Sequence, residues 1–447
     1  MKRVVITGIG SVTPLSNTFP DSWESLTKGL SGIAPITKCA PSLSHWCSAG
    51  EVKNFNPALY LTFKEIRHFD PFVQYAVAAA CMAAADAGIL HQKTEDRSQE
   101  SGFRSQNTDY RKQKAEGQNN TKPGKETTSS RITHHALLQN AGVIIGSSRG
   151  GISTLEKAIG KMHTGGRVSP YLMPATTISM AASFIAQKLG VRGHCLGVSN
   201  ACASGANAIG EGFRSIRYGQ SNIILAGGTE APLCRLCVEG YGSAGALSKR
   251  NGASASRPFD ATRDGFVLAE GACVLVLEEY CSALERGAHI YGEIIGYSST
   301  GDAFHITKPD PAGEAYALAA ALSDAGVRPE EIDYINAHGT ATPLGDRTEA
   351  AAIREIFGAR TRDIPVSAIK SMTGHMLAAS GAFEIASTLM SIKHGIIPPT
   401  INLIERDPDC DLKVITEKKE ASITHALSSS FGFGGVNAVI VLRKVNR

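Results

Sequence analysis

Two segments of the chain repeat one another without a gap, and this repeat constrains the fold more than any other feature. Residues 203–219 (ASGANAIGEGFRSIRYG) and 379–395 (ASGAFEIASTLMSIKHG) are identical at eight of 17 positions, including the final glycine. Their Ala and Gly residues allow two backbones to approach closely, so both segments are predicted to form buried helices. The repeat indicates a duplication in which two α/β units pack about a pseudo-twofold axis. Its register sets Cys202 of the first copy against Ala378 of the second.

Short apolar runs alternate with helical patterns along the chain. The runs lack polar alternation, as expected of strands that are covered on both faces. Strands are predicted at Val4–Ile6, Val143–Ile145, Ile223–Ala226, Val274–Leu277, Tyr334–Ile335, Leu427–Ser429 and Ala438–Leu442. Helices are predicted between them, for example over Pro71–Ala87 and over Glu314–Ala325, the latter ended by Gly326. Alternation of this kind is typical of an α/β fold in which helical layers surround sheets.

Composition and charge argue against several other classes of protein. The formal net charge of +4 is concentrated in residues 91–131, which hold nine Lys or Arg and six Asp or Glu. The only large apolar residues of that segment are Phe103 and Tyr110. We predict a flexible surface insertion there, because so few apolar groups cannot offset the entropy of ordering. Mixed charges make a poor phosphate-binding groove, so no nucleic-acid partner is expected. No apolar run reaches the roughly 18 residues of a membrane span, so no membrane insertion is expected either.

The cysteines indicate a reducing environment. The N-terminal residues contain no apolar stretch of signal-peptide length, and the ten cysteines are scattered along the chain. A cytoplasmic location with reduced thiols is therefore expected. Cys234 and Cys237 form one C-x-x-C pair, but no second pair follows at zinc spacing. No metal and no cofactor are predicted.

Cys202 is the candidate nucleophile. It lies in the sequence SNACASG, between a short apolar run and the first repeat helix. A thiol at a helix N-terminus gains from the positive end of the helix dipole, which is expected to lower its pKa and favour the thiolate. The alternative is a buried cysteine that packs as a small apolar side chain, which is the interpretation for most of the other cysteines. The turn between strand and helix favours the nucleophile.

Two histidines lie in similar turns. His338 follows a strand-like run in YINAHGTATP, and His375 precedes the second repeat helix in KSMTGHM. This edge of an α/β fold collects catalytic groups. One cysteine and two histidines without metal spacing suit acyl transfer through a thioester, with imidazole N–H groups stabilising an oxyanion. Lys370 and Glu349 are charged residues of the same segments that could orient the imidazoles.

A third glycine-rich turn covers residues 428–437, SSSFGFGGVN. Its three glycines around Phe433 allow unusual backbone angles and a movable aromatic ring. A phosphate-binding loop is the alternative, but the Gly-Lys-Ser/Thr ending of a P-loop is absent and no helical pattern follows. A backbone N–H donor with an aromatic gate is the better interpretation.

Four motifs in this order carry a family resemblance: NACASGANAIG, NAHGTATPLGD, KSMTGHMLAASGA and SFGFGGVNA. They resemble those of the β-ketoacyl-acyl carrier protein synthases of the elongating synthase II type, within the thiolase-like superfamily. The resemblance covers nearly the whole chain apart from residues 91–135. It implies a thiolase-like fold, with two duplicated α/β halves in a layered α-β-α-β-α arrangement. Residues 1–258 would form the N-terminal half with the nucleophilic cysteine, and residues 259–447 the C-terminal half with both histidines.

The resemblance also implies a role for each catalytic residue. Cys202 would be the acylated nucleophile, and His338 and His375 would drive decarboxylation of a malonyl thioester and stabilise the resulting enolate. Lys370 is similar to the family's structural and catalytic lysine, and Glu349 to the carboxylate that pairs with it. The implied reaction is chain elongation in fatty acid biosynthesis, in which an acyl group on the cysteine condenses with malonyl-acyl carrier protein to give 3-oxoacyl-acyl carrier protein and CO2.

Further positions match parts of the family's substrate tunnel. The backbone N–H groups of Cys202 and Phe433 would form the oxyanion hole, with Phe433 as the gate. Thr307, Thr340 and Thr342 match positions that line the pantetheine tunnel. Arg149 stands where the family commonly has an apolar or small residue at the bottom of the acyl pocket.

Partners are implied in the same way. The carrier is acidic, and Lys64 and Arg67 match a basic segment that family members use for docking, although a solvated helix face explains them equally well. A homodimer is implied by the resemblance alone. Two other functions remain open: a specialised ketosynthase of polyketide or unusual-lipid synthesis, and a non-catalytic partner subunit that shapes a pocket. The second conflicts with an intact Cys202.

Overall fold

The computed structural model of the protein describes residues 1–39, 46–90 and 137–445. The segment 91–131, predicted to be a flexible insertion, lies outside the described residues. The strands are β1 (Val4–Val12), β2 (Ala34–Pro35), β3 (Ser48–Ala49), β4 (Gly142–Gly146), β5 (Cys195–Val198), β6 (Ile223–Glu230), β7 (Gly271–Glu279), β8 (Gly292–Gly301), β9 (Tyr334–Asn336), β10 (Val366–Ser367), β11 (Ile396–Ile397), β12 (Lys419–Glu420), β13 (His425–Gly432) and β14 (Val436–Arg443).

The α-helices of the described residues occupy the intervals between these strands. They are α1 (Phe19–Thr27), α2 (Phe63–His68), α3 (Pro71–Asp86), α4 (Ile152–His163), α5 (Leu172–Thr176), α6 (Met180–Leu189), α7 (Ser204–Arg217), α8 (Arg235–Ser243), α9 (Tyr280–Glu285), α10 (Pro311–Ala325), α11 (Pro343–Phe357), α12 (Lys370–Thr373) and α13 (Ala378–His394). Among the described residues, no helix combines the length and the apolar character that crossing a bilayer requires.

The main sheet repeats one topology twice. Its ten strands run in the order β10-β9-β13-β14-β8-β1-β7-β6-β4-β5. Outwards from the central antiparallel β1–β8 pair, each half has an antiparallel pair, a second antiparallel pair and then two parallel pairs. The half β1-β7-β6-β4-β5 therefore matches the half β8-β14-β13-β9-β10 strand for strand. The predicted duplicated α/β architecture is confirmed, and each of the predicted strands lies within a strand of this sheet.

Helices cover the two half-sheets in layers. The two repeat helices α7 and α13 pack against each other and against strands of both halves in one apolar core. Helices α3 and α6 cover the outer face of the first half, and α10 and α11 cover that of the second. This arrangement gives the five alternating layers that the resemblance implied.

Glycine lets the two repeat helices touch. A Cβ atom on Gly205 of α7 would lie 2.1 Å from the carbonyl oxygen of Ala378, at the start of α13. A Cβ atom on Gly381 of α13 would lie 3.1 Å from the Cβ of Ala206. Since backbone atoms cannot move aside, the small residues shared by the two repeat segments set the distance between the helices.

The division of the chain into halves follows from the sheet. Strand β7 pairs with β6 and with β1, so it belongs to the first half although it comes after residue 258. Strand β8 opens the second half. We therefore propose a boundary between residues 279 and 292, later than the position 258 expected from the sequence.

Local sequence explains where the helices begin and end. In α3, Asp70 is the N-cap and accepts a hydrogen bond from the backbone N–H of Phe72, and Pro71 occupies the first turn. Helix α10 begins in the same way, with Asp310 as its N-cap, and ends at Gly326 in the left-handed conformation with φ 64°. The predicted end of α10 is confirmed, and its start lies three residues before the predicted Glu314.

Candidate active site

The nucleophile candidate lies in a strained turn that the chain contains twice. Ala201 precedes Cys202 with φ 46°, and Leu377, at the same position of the second repeat, also has φ 46°. In each copy a serine hydroxyl, Ser204 or Ser380, accepts a hydrogen bond from the backbone N–H four residues earlier, at 2.8 and 2.9 Å. The second copy thus reproduces the geometry of the first without its thiol.

His375 is placed as the base for Cys202. Its Nε2 lies 3.0 Å from the Cys202 Sγ, and its Nδ1 lies 3.2 Å from the Ser380 hydroxyl. The ring of Phe266 meets the imidazole edge to face at 5.2 Å. The hydroxyl oxygen of Ser380 can accept a hydrogen bond from an N–H at Nδ1, which leaves Nε2 free to accept the thiol proton.

The expected low pKa of Cys202 is wrong. Burial raises the pKa of the thiol to about 11, against the opposing influence of the Lys370 cation and the backbone N–H of Phe433. Helix α7 begins at Ser204, two residues after Cys202, and Cys202 itself is partly buried. The pKa values of His338 and His375 are lowered well below the usual range by burial and then by Lys370. The resting site therefore holds a neutral thiol and two neutral imidazoles.

Contacts of its ring and of its backbone hold His338 in place. Its ring lies 5.4 Å from that of His375, at an angle of 87°. The Glu349 carboxylate accepts the backbone N–H groups of His338 at 2.7 Å and of Gly339 at 2.8 Å, and the hydroxyl of Ser429 at 2.8 Å. Glu349 therefore holds the turn that carries the imidazole.

Lys370 pairs with a carboxylate that the sequence did not single out. Its Nζ donates to Glu384 of α13 and to the His338 carbonyl oxygen at 2.7 Å, and lies 3.3 Å from the His338 Nδ1. The predicted pairing of Lys370 with Glu349 is wrong, because Glu349 is occupied by backbone N–H groups. With Nδ1 facing an ammonium donor, neutral His338 carries its proton on Nε2.

Glu384 could have been found from the repeat. The alignment of the two repeat segments sets it opposite Ala208, so an acidic residue stands in a helix of small and apolar side chains. Its side chain is 1% exposed. A buried carboxylate requires a cationic partner, and the cation that contacts Glu384 is Lys370.

A cavity of about 520 Å³ joins these groups to the surface. The residues that define the reaction centre and its approach line it together, namely Cys202, His338, His375, Thr307, Thr340, Thr342 and Phe433. The hydroxyls of Thr340 and Thr342 lie 3.1 Å apart. Phe433 is 41% exposed beside Tyr241, consistent with a ring at the entrance.

The predicted residues Arg149, Lys64 and Arg67 do not line this cavity. The Nε of Arg149 donates at 2.8 Å to the hydroxyl of Tyr241, a residue that does line the cavity. The place of Arg149 in an acyl pocket stays a prediction. Lys64 and Arg67 are exposed on α2, where the Arg67 guanidinium lies 5.7 Å from the ring of Phe63. Their role in docking stays a prediction.

The chemistry of the site is covalent acyl transfer. A thiol with an adjacent base can take up an acyl group, and N–H donors can stabilise the charge of an oxyanion or enolate. Within residues 1–39, 46–90 and 137–445, no group of three or more His, Cys, Asp and Glu side chains is placed to hold a metal ion. A duplicated five-layer fold with one cysteine and two histidines between its halves defines the thiolase-like condensing enzymes.

Comparison with known proteins identifies the family. The profile described as Beta-ketoacyl synthase, N-terminal domain, matches residues 1–135 and 125–283, and that described as Beta-ketoacyl synthase, C-terminal domain, matches residues 291–404. The chain belongs to the β-ketoacyl synthase family, as its motifs predicted.

Individual relatives match the chain over nearly its full length. The chain is 40% identical over 450 residues to 3-oxoacyl-acyl-carrier-protein synthase 2 of Staphylococcus aureus, covering 99% of this chain and 98% of the relative. It is similar to the solved structure of the ishigamide ketosynthase/chain length factor, with a TM-score of 0.85, 33% identity and 100% of both chains covered. A structure of a type II PKS acyl-carrier protein in complex with its ketosynthase has a TM-score of 0.82 and 31% identity, covering 99% of this chain and 100% of that one.

Proposed function

We propose that the protein is a condensing enzyme of fatty acid chain elongation. It transfers an acyl group to Cys202 and condenses it with malonyl-acyl carrier protein, giving 3-oxoacyl-acyl carrier protein and CO2. The observation that carries this proposal is the 3.0 Å contact between the Cys202 Sγ and the His375 Nε2, with the ring of His338 at 5.4 Å from that of His375. The name of the Staphylococcus aureus relative agrees with this reaction.

The first half-reaction loads the cysteine. His375 accepts the thiol proton as the sulfur attacks the thioester carbonyl of the acyl carrier, and the backbone N–H groups of Cys202 and Phe433 stabilise the oxyanion. The backbone N–H of Phe433 already points at the Cys202 sulfur. Collapse of the tetrahedral intermediate breaks the bond to the carrier sulfur. The proton held by His375 passes to that sulfur, so the carrier leaves as a thiol.

The second half-reaction forms the carbon–carbon bond. Malonyl-carrier enters the same cavity, and loss of CO2 leaves an enolate whose oxygen accepts a hydrogen bond from the Nε2–H of His338 and a second from His375, which carries its proton on Nε2 once Cys202 is acylated. The Lys370 cation beside His338 strengthens this stabilisation, because it lies in a water-excluded site. The enolate carbon attacks the acyl-thioester carbon, the carbon–sulfur bond breaks, and the departing Cys202 thiolate takes up a proton from water that enters the cavity.

The proposed partners are acyl carrier proteins and a second copy of the chain. The exposed cations of Lys64 and Arg67 suit an acidic carrier. Strand β5 is an edge of the ten-stranded sheet, and Leu196 on it is 43% exposed. Pairing of β5 with the same strand of a second copy would cover this edge. We place the enzyme in the cytoplasm, where a reducing environment keeps Cys202 as a thiol.

Substitution of Cys202 tests the proposal. Purified protein is incubated with acyl-carrier and malonyl-carrier, and the 3-oxoacyl product and the mass of the active-site peptide are followed. We expect acylation of Cys202 in the wild type, and neither acylation nor condensation in Cys202→Ala. Cys281→Ala, which removes an exposed thiol, is the matched control and keeps both. Full condensing activity in Cys202→Ala would refute the mechanism, and an inactive wild type would favour a non-catalytic partner subunit.

A further inference from the structure

Glu314 is a buried carboxyl group that neither the mechanism nor the motifs explain. It lies in the first turn of α10 and is 1% exposed. It lines the same cavity as Cys202 and the two histidines. Its Oε2 is enclosed and has no hydrogen-bond partner among the described residues.

The other acidic side chains of the cavity wall are all engaged. Glu349 accepts two backbone N–H groups and a serine hydroxyl. Asp346 accepts the backbone N–H groups of Phe259 and Ala341, at 2.7 and 3.1 Å, and faces Arg263 at 3.4 Å. Asp302 accepts the side-chain amide of Asn437 at 2.6 Å and the backbone N–H of Asp310 at 3.1 Å. Glu314 thus differs from its neighbours in having an enclosed oxygen without a partner in the described protein.

The surroundings of Glu314 favour its protonated form. Burial, followed by the charges of Glu349, Asp302, Asp346 and Asp310, raises its pKa well above the usual range. A neutral carboxyl group has one O–H donor to offer, which a carboxylate lacks. A buried polar group without a partner destabilises the protein, so an acceptor that a substrate brings into the cavity lined by Glu314 would stabilise this carboxyl group.

We propose that Glu314 is a substrate-binding residue whose O–H donates a hydrogen bond to a neutral carbonyl oxygen of the carrier-linked thioester arm. This inference rests on the proposed function, which brings such an arm into the cavity. The arm carries thioester and amide carbonyl groups, and each must lose its water when it enters. The hydroxyls of Thr340 and Thr342 lie 3.1 Å apart and can bond to each other. They therefore leave fewer donors for the carbonyl oxygens of the arm, and Glu314 supplies one more.

Three substitutions separate binding from structure. Glu314→Gln keeps a donor of the same shape, Glu314→Leu removes it, and Tyr316→Leu changes a residue of the same helix that is 66% exposed. Each is assayed for kcat and KM with malonyl-carrier. The affinity of each is also measured for malonyl-carrier in which the thioester sulfur is replaced by an amide nitrogen. That second measurement is independent of turnover, so it decides about Glu314 even if the proposed condensation fails.

The expected pattern combines weaker binding with a more stable fold. Glu314→Leu should raise KM and Kd about 3- to 10-fold, the range of one neutral hydrogen bond, with kcat changed less than about twofold. Its Tm should rise, since an unpartnered polar group is removed. Glu314→Gln and Tyr316→Leu should bind as the wild type does. The proposal is overturned if Glu314→Leu binds normally, or if Glu314→Gln weakens binding as much as Glu314→Leu.

Discussion

The buried ion pair between Lys370 and Glu384 makes stability and catalysis depend on one contact. Both side chains are 1% exposed, and the other acceptors of the Lys370 ammonium, at His338, are neutral. Glu384→Gln keeps the shape and an acceptor oxygen but removes the charge. Because the buried lysine cation then loses the carboxylate that contacts it, we expect a loss of about 3–5 kcal/mol in the free energy of unfolding.

Urea denaturation followed by the fluorescence of the buried Trp23 measures this loss. Glu65→Gln is the matched control, because it breaks a partly exposed pair with Lys188 at 3.0 Å and should cost less than about 1 kcal/mol. The double variant Lys370→Met, Glu384→Leu removes both charges and should recover most of the stability. It should not decarboxylate malonyl-carrier, because the Lys370 cation is absent. A loss below 1 kcal/mol in Glu384→Gln, or a double variant as unstable as the single one, would refute the reasoning.

Two further predictions follow from packing and from protonation. Gly205→Ala should cost about 3 kcal/mol, because the new Cβ would lie 2.1 Å from a backbone oxygen of α13. Gly160→Ala, in an exposed helical position with open space around it, should gain about 0.5–1 kcal/mol, and thermal unfolding compares the two. The rate of Cys202 labelling by iodoacetamide should keep rising up to about pH 11, because its pKa is raised to about 11 and only the thiolate reacts. A plateau near pH 9 would contradict that protonation state.

The sequence predicted the elements that repeat or are uniformly apolar. The ungapped match of the two repeat segments located α7 and α13, and the apolar runs located the core of seven strands of the sheet. Strand β10, of only two residues, was not predicted, and neither were strands β5 and β8. Strand β5 is short and largely exposed, and strand β8 contains polar and glycine residues along SSTG, so neither has the pattern of a buried strand.

Within the site, residue identities could be predicted but their electrostatics could not. The motifs pointed to Cys202, His338, His375 and Lys370, which the fold brings together. The partner of Lys370 depends on how α12 and α13 cross, which no local pattern encodes. The pKa of Cys202 depends on the protein that encloses it, and desolvation outweighs a nearby helix start.

The duplicated turn bears on how backbone strain at an active site is interpreted. A non-glycine residue with positive φ beside a nucleophile would ordinarily suggest strain kept for catalysis. Here Leu377 has the same φ of 46° as Ala201, although the residue after it is Ala378 and performs no chemistry. The unusual conformation is therefore a property of the duplicated turn and not of the nucleophile alone. A search for active sites by positive φ alone would select both turns of this chain, and the thiol of Cys202 is what distinguishes the reactive one.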